Sequence, residues 1–356
     1  MIQISPETQL FIREHSSDDV RALALQAKKY PDIDMPTAIT QIAGRQVAAE
    51  KIPSWREIEE IWYPKHLSLE QCSSEITARY KARLLQGDSL TDLTGGFGID
   101  CSFLATGFKS ATYVERQEEL CEIAAHNFPI LNLNHINVRN EDGVAYLQSM
   151  SPVDCIFLDP ARRNEHGGKT VAISDCEPNV AELEALLLSK ANRVMIKLSP
   201  MLDLSLALKE LKHTQEVHIL SVNNECKELL ILLGQTSPAE IAIHCVNLLT
   251  KGTQEEQHLV FTREQEQRSQ CTYTDSLGNY LYEPNASLLK AGAFRSIAAA
   301  YPVRKLHPNS HLYISDSFIE NFPGRIFRIV NQCSFNKKEV KENLADLKKA
   351  NVTVRN

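Results

Sequence analysis

Two acidic turns at the ends of apolar runs carry the residue types and spacing that could do chemistry. The first is Leu90-Thr91-Asp92-Leu93-Thr94-Gly95-Gly96-Phe97-Gly98-Ile99-Asp100-Cys101, an apolar strand running into a glycine-rich turn with Asp92 at its mouth. Gly95, Gly96 and Gly98 have no β-carbon, so the chain can turn sharply and let a ligand approach the backbone at the carboxyl end of a strand. A phosphate-binding loop would close with Gly-Lys-Ser/Thr, which is missing, and G-x-G-x-x-G read from Gly96 meets Cys101 where its last glycine belongs. The loop therefore points to a nucleoside rather than a phosphate. About twenty residues on, a second strand over residues 110–114 ends in Glu115, where an α/β nucleotide fold sets an acid against the ribose hydroxyls. A carboxylate accepts two hydrogen bonds from a vicinal diol, each worth roughly 1.5–3 kcal/mol. The second acidic turn is Asp159-Pro160-Ala161-Arg162-Arg163, after the apolar run 153–158. An apolar strand stopping at Asp-Pro places a carboxylate and a stiff turn beside the first loop in a parallel sheet, where a substrate belongs.

The first loop resembles the D-x-G-x-G-x-G loop of class I S-adenosylmethionine (SAM) methyltransferases, with Asp92, Gly96 and Gly98 in register and Thr94 in place of the first glycine. The resemblance implies SAM as cofactor, held by Asp92, Thr94, Gly95, Gly96, Phe97, Gly98 and Glu115. It also implies that Asp142, in Asn140-Glu141-Asp142-Gly143, takes the adenine amino group. The second turn resembles the D/N-P-P-Y/F/W motif of amino-group methyltransferases, in which the acid and the prolyl carbonyl hold an exocyclic amine and the aromatic ring stacks on the base. Ala161 replaces the second proline here and Arg162 the aromatic. The implied catalytic set is Asp159, Pro160 and Arg162, with stacking passed to an arginine plane or absent.

These turns need a sheet to bring them together. Strands are expected at 110–114, 136–138, 153–158, 193–196, 216–222 and 228–234, alternating with helices such as 117–127. Asn223-Asn224-Glu225-Cys226 links the last two as a hairpin. That alternation describes an α/β fold with a mostly parallel sheet and an antiparallel edge, the class I methyltransferase Rossmann-like pattern. Lys197, at the tip of the fifth strand, either approaches the substrate or, as the stronger expectation, is exposed.

Residues 1–86 read as helical. Ser54-Trp55-Arg56-Glu57 and Ser68-Leu69-Glu70-Gln71 have the spacing of capping boxes. The second would start a helix over 69–86 with Arg79, Lys81 and Arg83 near its end, as a solvated last turn or a phosphate contact. Apolar spacing at 39, 42, 43 and 47 adds another helix around 41–46. After the large sheet, strands at 241–246 and 258–261 suggest a small separate sheet. A further unit begins at 280, with strands at 312–314 and 325–330 and a basic amphipathic helix at about 337–350. The expected domains are a helical domain at 1–86, a methyltransferase domain at 87–236, a ferredoxin-like or β-rich domain at 237–279 and a THUMP-like domain at 280–356.

The chain has 356 residues, 43% hydrophobic and 23% charged, which suits two or three globular domains. It holds no run of 18 apolar residues and begins Met1-Ile2-Gln3-Ile4 without a signal-peptide pattern, so a cytoplasmic protein is expected. Nine cysteines are scattered without a C-x-x-C pair, giving no expectation of a metal or a cysteine nucleophile. The net charge is −7, yet residues 325–356 carry eight Lys/Arg against three Asp/Glu. A basic end on an acidic body is the asymmetry of a chain that meets phosphates with one face.

Gly44-Arg45-Gln46, the serine-rich run at 68–75, residues 92–100, residues 159–162 and Tyr282-Glu283-Pro284 together resemble a family of bacterial class I methyltransferases with a carboxyl-terminal THUMP-like domain. The resemblance implies SAM-dependent transfer, with RNA (tRNA or rRNA) as substrate because THUMP domains proper bind RNA. It implies neither DNA specifically nor a membrane. A protein or small-molecule acceptor, or a SAM-binding module that has lost transfer, are the alternatives.

Overall fold

The computed structural model describes residues 4–162, 172–252, 255–334, 336–345 and 349. Arg163 and the side chain of Arg162 lie outside that description, as does most of the expected terminal helix beyond Leu344. Contacts divide the chain into two units, one of Met1–His213 with Leu232–Ser237 and one of Thr214–Ile231 with Pro238–Asn356.

The first unit opens with six helices: α1 (Pro6–Glu14), α2 (Val20–Leu25), α3 (Met35–Lys51), α4 (Pro53–Arg56), α5 (His66–Gln71) and α6 (Glu75–Ala82). Neither expected capping box forms. Pro53 occupies the first turn of α4 with Ile52 as its cap, and the Ser54 amide donates to the Glu75 carboxylate at 2.8 Å. Ser68 lies inside α5, and the expected helix at 69–86 is broken at Cys72 and Ser74, whose backbones are extended. The break frees the Ser73 hydroxyl to donate to Asp100 at 2.7 Å, a tertiary demand that local helix signals do not carry.

Helix α3 packs closely on the chain at Tyr63. Gln41 donates to the Tyr63 carbonyl at 2.9 Å and accepts from its amide at 3.0 Å. A β-carbon on Gly44 would sit 2.2 Å from that of Tyr63, so glycine permits the contact. We expect Gly44→Ala to lower stability by about 1–3 kcal/mol through overpacking. Urea unfolding checks this, and an unchanged midpoint would contradict the close approach.

The sheet of this unit contains β1 (Ser89–Asp92), β2 (Ser110–Glu115), β3 (Ile136–Asn140), β4 (Val153–Leu158) and β7 (Ala191–Leu198). Between the last two, β5 (Ala161–Arg162) and β6 (Cys176–Glu177) pair as a short antiparallel ribbon. Strand β1 is parallel to β2 and β4, β2 to β3, and β4 to β7. Helices α7 (Ile99–Leu104), α8 (Glu118–Ile130), α9 (Gly143–Ser149), α10 (Val180–Lys190) and α11 (Leu204–Glu210) follow the strands in turn. Strands β1, β4 and β7 are buried at consecutive positions toward their carboxyl ends, so both their faces are covered there. The register sets Asp92 opposite Phe157 and Leu158 opposite Ile196. Asp92, Asp159 and Lys197 therefore emerge at the same carboxyl edge.

The second unit holds β8 (Thr214–Val222), β9 (Glu225–Gly234, whose last three residues belong to the first unit), β10 (Ala242–Leu248) and β11 (Glu256–Phe261). Asn223 and Asn224 both have positive φ, the conformation of a tight two-residue hairpin turn. The strands at 242–248 and 256–261 do not form the separate sheet expected. Strand β10 pairs parallel with β8, and β11 antiparallel with β10, so the hairpin is not the edge. Such pairing joins strands distant in sequence and leaves no local signal. Helix α12 (Arg263–Arg268) precedes a smaller sheet of β12 (Tyr280–Pro284), β13 (Arg304–Lys305), β14 (Tyr313–Ser315) and β15 (Gly324–Arg328), in the order β13-β14-β12-β15. Helices α13 (Ala286–Ala291), α14 (Phe294–Ala300) and α15 (Lys337–Asn343) accompany it. Glu283 is buried and receives Arg325 through Nε at 2.8 Å. Among the described residues, no helix is long and apolar enough to cross a membrane.

Candidate active site

The glycine turn after β1 is built for three different reasons. Gly95 leaves room for the Tyr113 ring, which a β-carbon would approach to 2.2 Å. Gly98 has φ +87°, with Phe128 close behind it, and Gly96 has φ +54° with open space where a side chain would project. Only Gly96 thus combines left-handed backbone with an open approach, the condition for a ligand to lie against the chain. Phe97 is 4% exposed and packs edge-on against Trp55 at 5.3 Å between centroids, so its contribution is to lock the loop onto the amino-terminal helices. The Thr94 hydroxyl accepts from the Asp159 amide at 2.6 Å, tying the two acidic turns together.

Several carboxylates lie around this loop. Asp92 is 1% exposed; one oxygen accepts from the Thr94 amide at 3.0 Å, and Oδ2 has no hydrogen-bond partner among the described residues. Burial, with Asp100, Asp159 and Glu115 nearby, pushes its carboxyl well above the usual range. Glu115 accepts from the Gly96 amide at 2.9 Å and the Gln117 amide at 2.8 Å. Two acceptor sites on that carboxylate remain for a diol. Asp142 caps α9, accepting from Val144 and Ala145, and is exposed. Gly143 brings this cap against the Leu93 carbonyl, 2.2 Å from where a β-carbon would stand.

Asp159 is held by Lys197, whose Nζ donates at 2.5 Å, and Pro160 is buried behind it. Lys197 is 8% exposed, contrary to the exposed lysine expected from its place at a strand tip. It also reaches Asp100 at 3.3 Å. Asp100 in turn pairs with Lys81 at 2.9 Å, and Lys81 donates to Ser73 at 2.8 Å. Lys81 is completely buried, so it is neither the solvated charge nor the phosphate contact expected of the helix end. Arg79, from the same group, pairs with Glu75 at 2.7 Å. Burial raises the Asp100 carboxyl, but the two ammonium groups and Ser73 outweigh it and hold it at about 2. Desolvation raises Asp159 above its ordinary value against the pull of Lys197.

Asp92, Asp100, Asp159 and Glu115 outnumber Lys81 and Lys197, an excess of acid groups suited to a cationic ligand. The structure brings Asp92, Glu115 and Asp159, expected from the sequence, together with Lys81, Asp100 and the Lys197 pair, which were not expected. Buried Cys101 and Cys155 have thiols pushed up by burial, Cys155 to about 11, which suits packing rather than nucleophilic attack.

One solved structure similar to this chain over nearly its whole length is that of a methyltransferase candidate from Porphyromonas gingivalis W83. Its crystal structure matches at 34% identity with a TM-score of 0.83, covering 97% of this chain and 87% of that one. The fold is thus the Rossmann-like α/β fold of class I methyltransferases, and the chain belongs to the family of that protein. A family model for a ferredoxin-like domain matches residues 280–323, within the segment expected to be THUMP-like rather than at 237–279. Two more distant structures are an rRNA methylase from Streptococcus thermophilus and a methyltransferase candidate from Streptococcus mutans in complex with SAH. The first is 15% identical (TM-score 0.32; 45% of this chain, 93% of that one) and the second 12% (TM-score 0.33; 45% and 96%). Neither likeness bears on substrate. Among curated proteins none matches.

Proposed function

We propose that the chain is a SAM-dependent methyltransferase acting on a nitrogen of an RNA base, in tRNA or rRNA. The observation that carries SAM as the cofactor is the unpartnered oxygen of buried Asp92 together with the open left-handed turn at Gly96. A buried carboxylate without a partner is costly, and SAM, with its ammonium and sulfonium groups, is the cationic nucleoside that would relieve it. The residues therefore fit the cofactor. Gly96 gives the adenosine its approach, Glu115 takes the ribose diol and Asp142 lies where the adenine amino group would be met. When bound, SAM supplies an electrophilic methyl group.

The protein's contribution to transfer is position. Lys197 fixes Oδ2 of Asp159, leaving Oδ1 to accept from the acceptor amine and take its proton, with the Pro160 carbonyl as a second acceptor. Holding both reactants in line lowers the barrier by about 7–11 kcal/mol at best. The basic carboxyl-terminal segment supports RNA as substrate.

Asp92→Asn keeps the shape of the side chain but cannot become a carboxylate, and is expected to weaken SAM binding about 10- to 100-fold, the worth of one charge-assisted hydrogen bond. Undiminished affinity would contradict the role of Asp92. The acceptor is tested with methyl-labelled SAM and total RNA from a strain lacking the protein. Nuclease-sensitive label supports the reading. Label in a protein or metabolite fraction, or SAM binding without turnover on any fraction, contradicts the RNA assignment.

A further inference from the structure

The second unit carries a cluster of metal-ligating side chains far in sequence from the residues discussed above. Glu216 and His218 lie two apart on β8 and so share one face of the strand. His244 on β10 is paired directly with His218 in the parallel register, which puts its side chain on that same face. His258 on β11 is opposite Val246, two residues beyond His244, and joins them there. The topology thus gathers three imidazoles and a carboxylate from three strands onto one face.

The distances are those of side chains already converging. Glu216 Oε2 is 3.3 Å from His218 Nε2, and His244 Nδ1 is 3.2 Å from His258 Nε2. The His218 and His244 rings stack at 4.3 Å between centroids. One ligand atom from each of Glu216, His218 and His244 can be chosen so that all lie within 4.8 Å of one another. Bond lengths of about 2.0–2.1 Å to a tetrahedral zinc ion set neighbouring ligand atoms about 3.3 Å apart. The two closest pairs are at that separation, and an ion would turn the stacked His218 and His244 rings so that their nitrogens face one point. His218 is 2% exposed while His258 is exposed, so the cluster has a buried floor and an open mouth through which an ion can arrive.

We propose that Glu216, His218, His244 and His258 form a binding site for one divalent transition-metal ion, zinc by the chemistry of the donors. Imidazole nitrogen with a single carboxylate suits zinc and its neighbours, whereas calcium and magnesium take oxygen. The cysteine spacing gave no hint of such a site because none of its ligands is a cysteine. Bound there, the ion cross-links β8, β10 and β11 and ties down the edge strand of the sheet.

The test uses the full chain, stripped of metal, and zinc alone. Equilibrium titration with a competing chelator measures affinity in the wild type, in His244→Gln and in Glu216→Gln. Both substituted side chains are only partly buried, and circular dichroism verifies that each variant is folded. We expect one zinc ion per wild-type chain. Each variant should bind it at least about tenfold more weakly, since even outer-shell partners of a metal contribute about 10–100-fold. The nine cysteines are unchanged in both variants, so thiol binding cannot produce the difference. Absence of a single tight wild-type site, or unchanged affinity in either variant, overturns the proposal.

Discussion

Replacing Asp159 by asparagine is expected to slow methyl transfer by about 10²- to 10⁴-fold, the usual worth of a positioned proton acceptor, while leaving SAM affinity within severalfold. The asymmetry follows from where the side chain sits. Asp159 lies one residue past the end of β4, tied through its amide to Thr94 and through its carboxylate to Lys197. Asparagine keeps the backbone link and the shape but can neither take a proton nor hold Lys197 by charge. Lys197 retains Asp100 at 3.3 Å, so the variant does not strand a buried ammonium and should fold. Single-turnover rates with saturating SAM check the rate, and calorimetry checks the affinity. Full activity in Asp159→Asn, or loss of SAM binding, would show that the acceptor site is elsewhere.

Lys81→Met is expected to destabilise the protein by about 3–5 kcal/mol, the range for removing one partner of a buried ion pair. Lys81 is wholly buried and meets both Asp100 and Ser73, so methionine fills the space but leaves the carboxylate short of a partner. The pH dependence gives the sign. Asp100 titrates at about 2 in the folded protein against an ordinary 3.8. Its contribution is therefore fully present above about pH 4 and is lost as pH falls through 2. With Lys81 gone the folded carboxyl rises toward its ordinary value, so the variant should lose most relative to the wild type near neutrality and least at pH 2. Urea denaturation at pH 7 and at acid pH measures this. A loss below about 1 kcal/mol at pH 7 would mean that Lys197 and Ser73 satisfy Asp100 alone.

What could be read from the sequence was what is written locally. The strand, glycine turn and acid of residues 90–98, the Asp-Pro stop after β4 and Glu115 at the end of β2 each carry their meaning within a few residues, and the parallel register then brings them together. The network beneath them was not legible because its members come from separate elements: Lys81 from α6, Asp100 from α7 and Lys197 from β7. Signals did exist. Lys197 ends the apolar run Val194-Met195-Ile196, Asp100 stands between Ile99 and Cys101, and Lys81 falls four residues after Thr77 on the stripe that α6 buries. A charge on an apolar stripe is better read as buried and paired than as solvated. The same limit applies to β10, whose parallel pairing with β8 joins strands distant in sequence and replaces the separate sheet expected at 241–261.

Titration calorimetry of SAM into the wild-type protein and into Asp92→Asn decides whether Asp92, Gly96 and Glu115 hold SAM. We predict one site per chain in the wild type and affinity about 10- to 100-fold weaker in the variant. A wild-type protein that is folded and takes up no SAM would contradict the account.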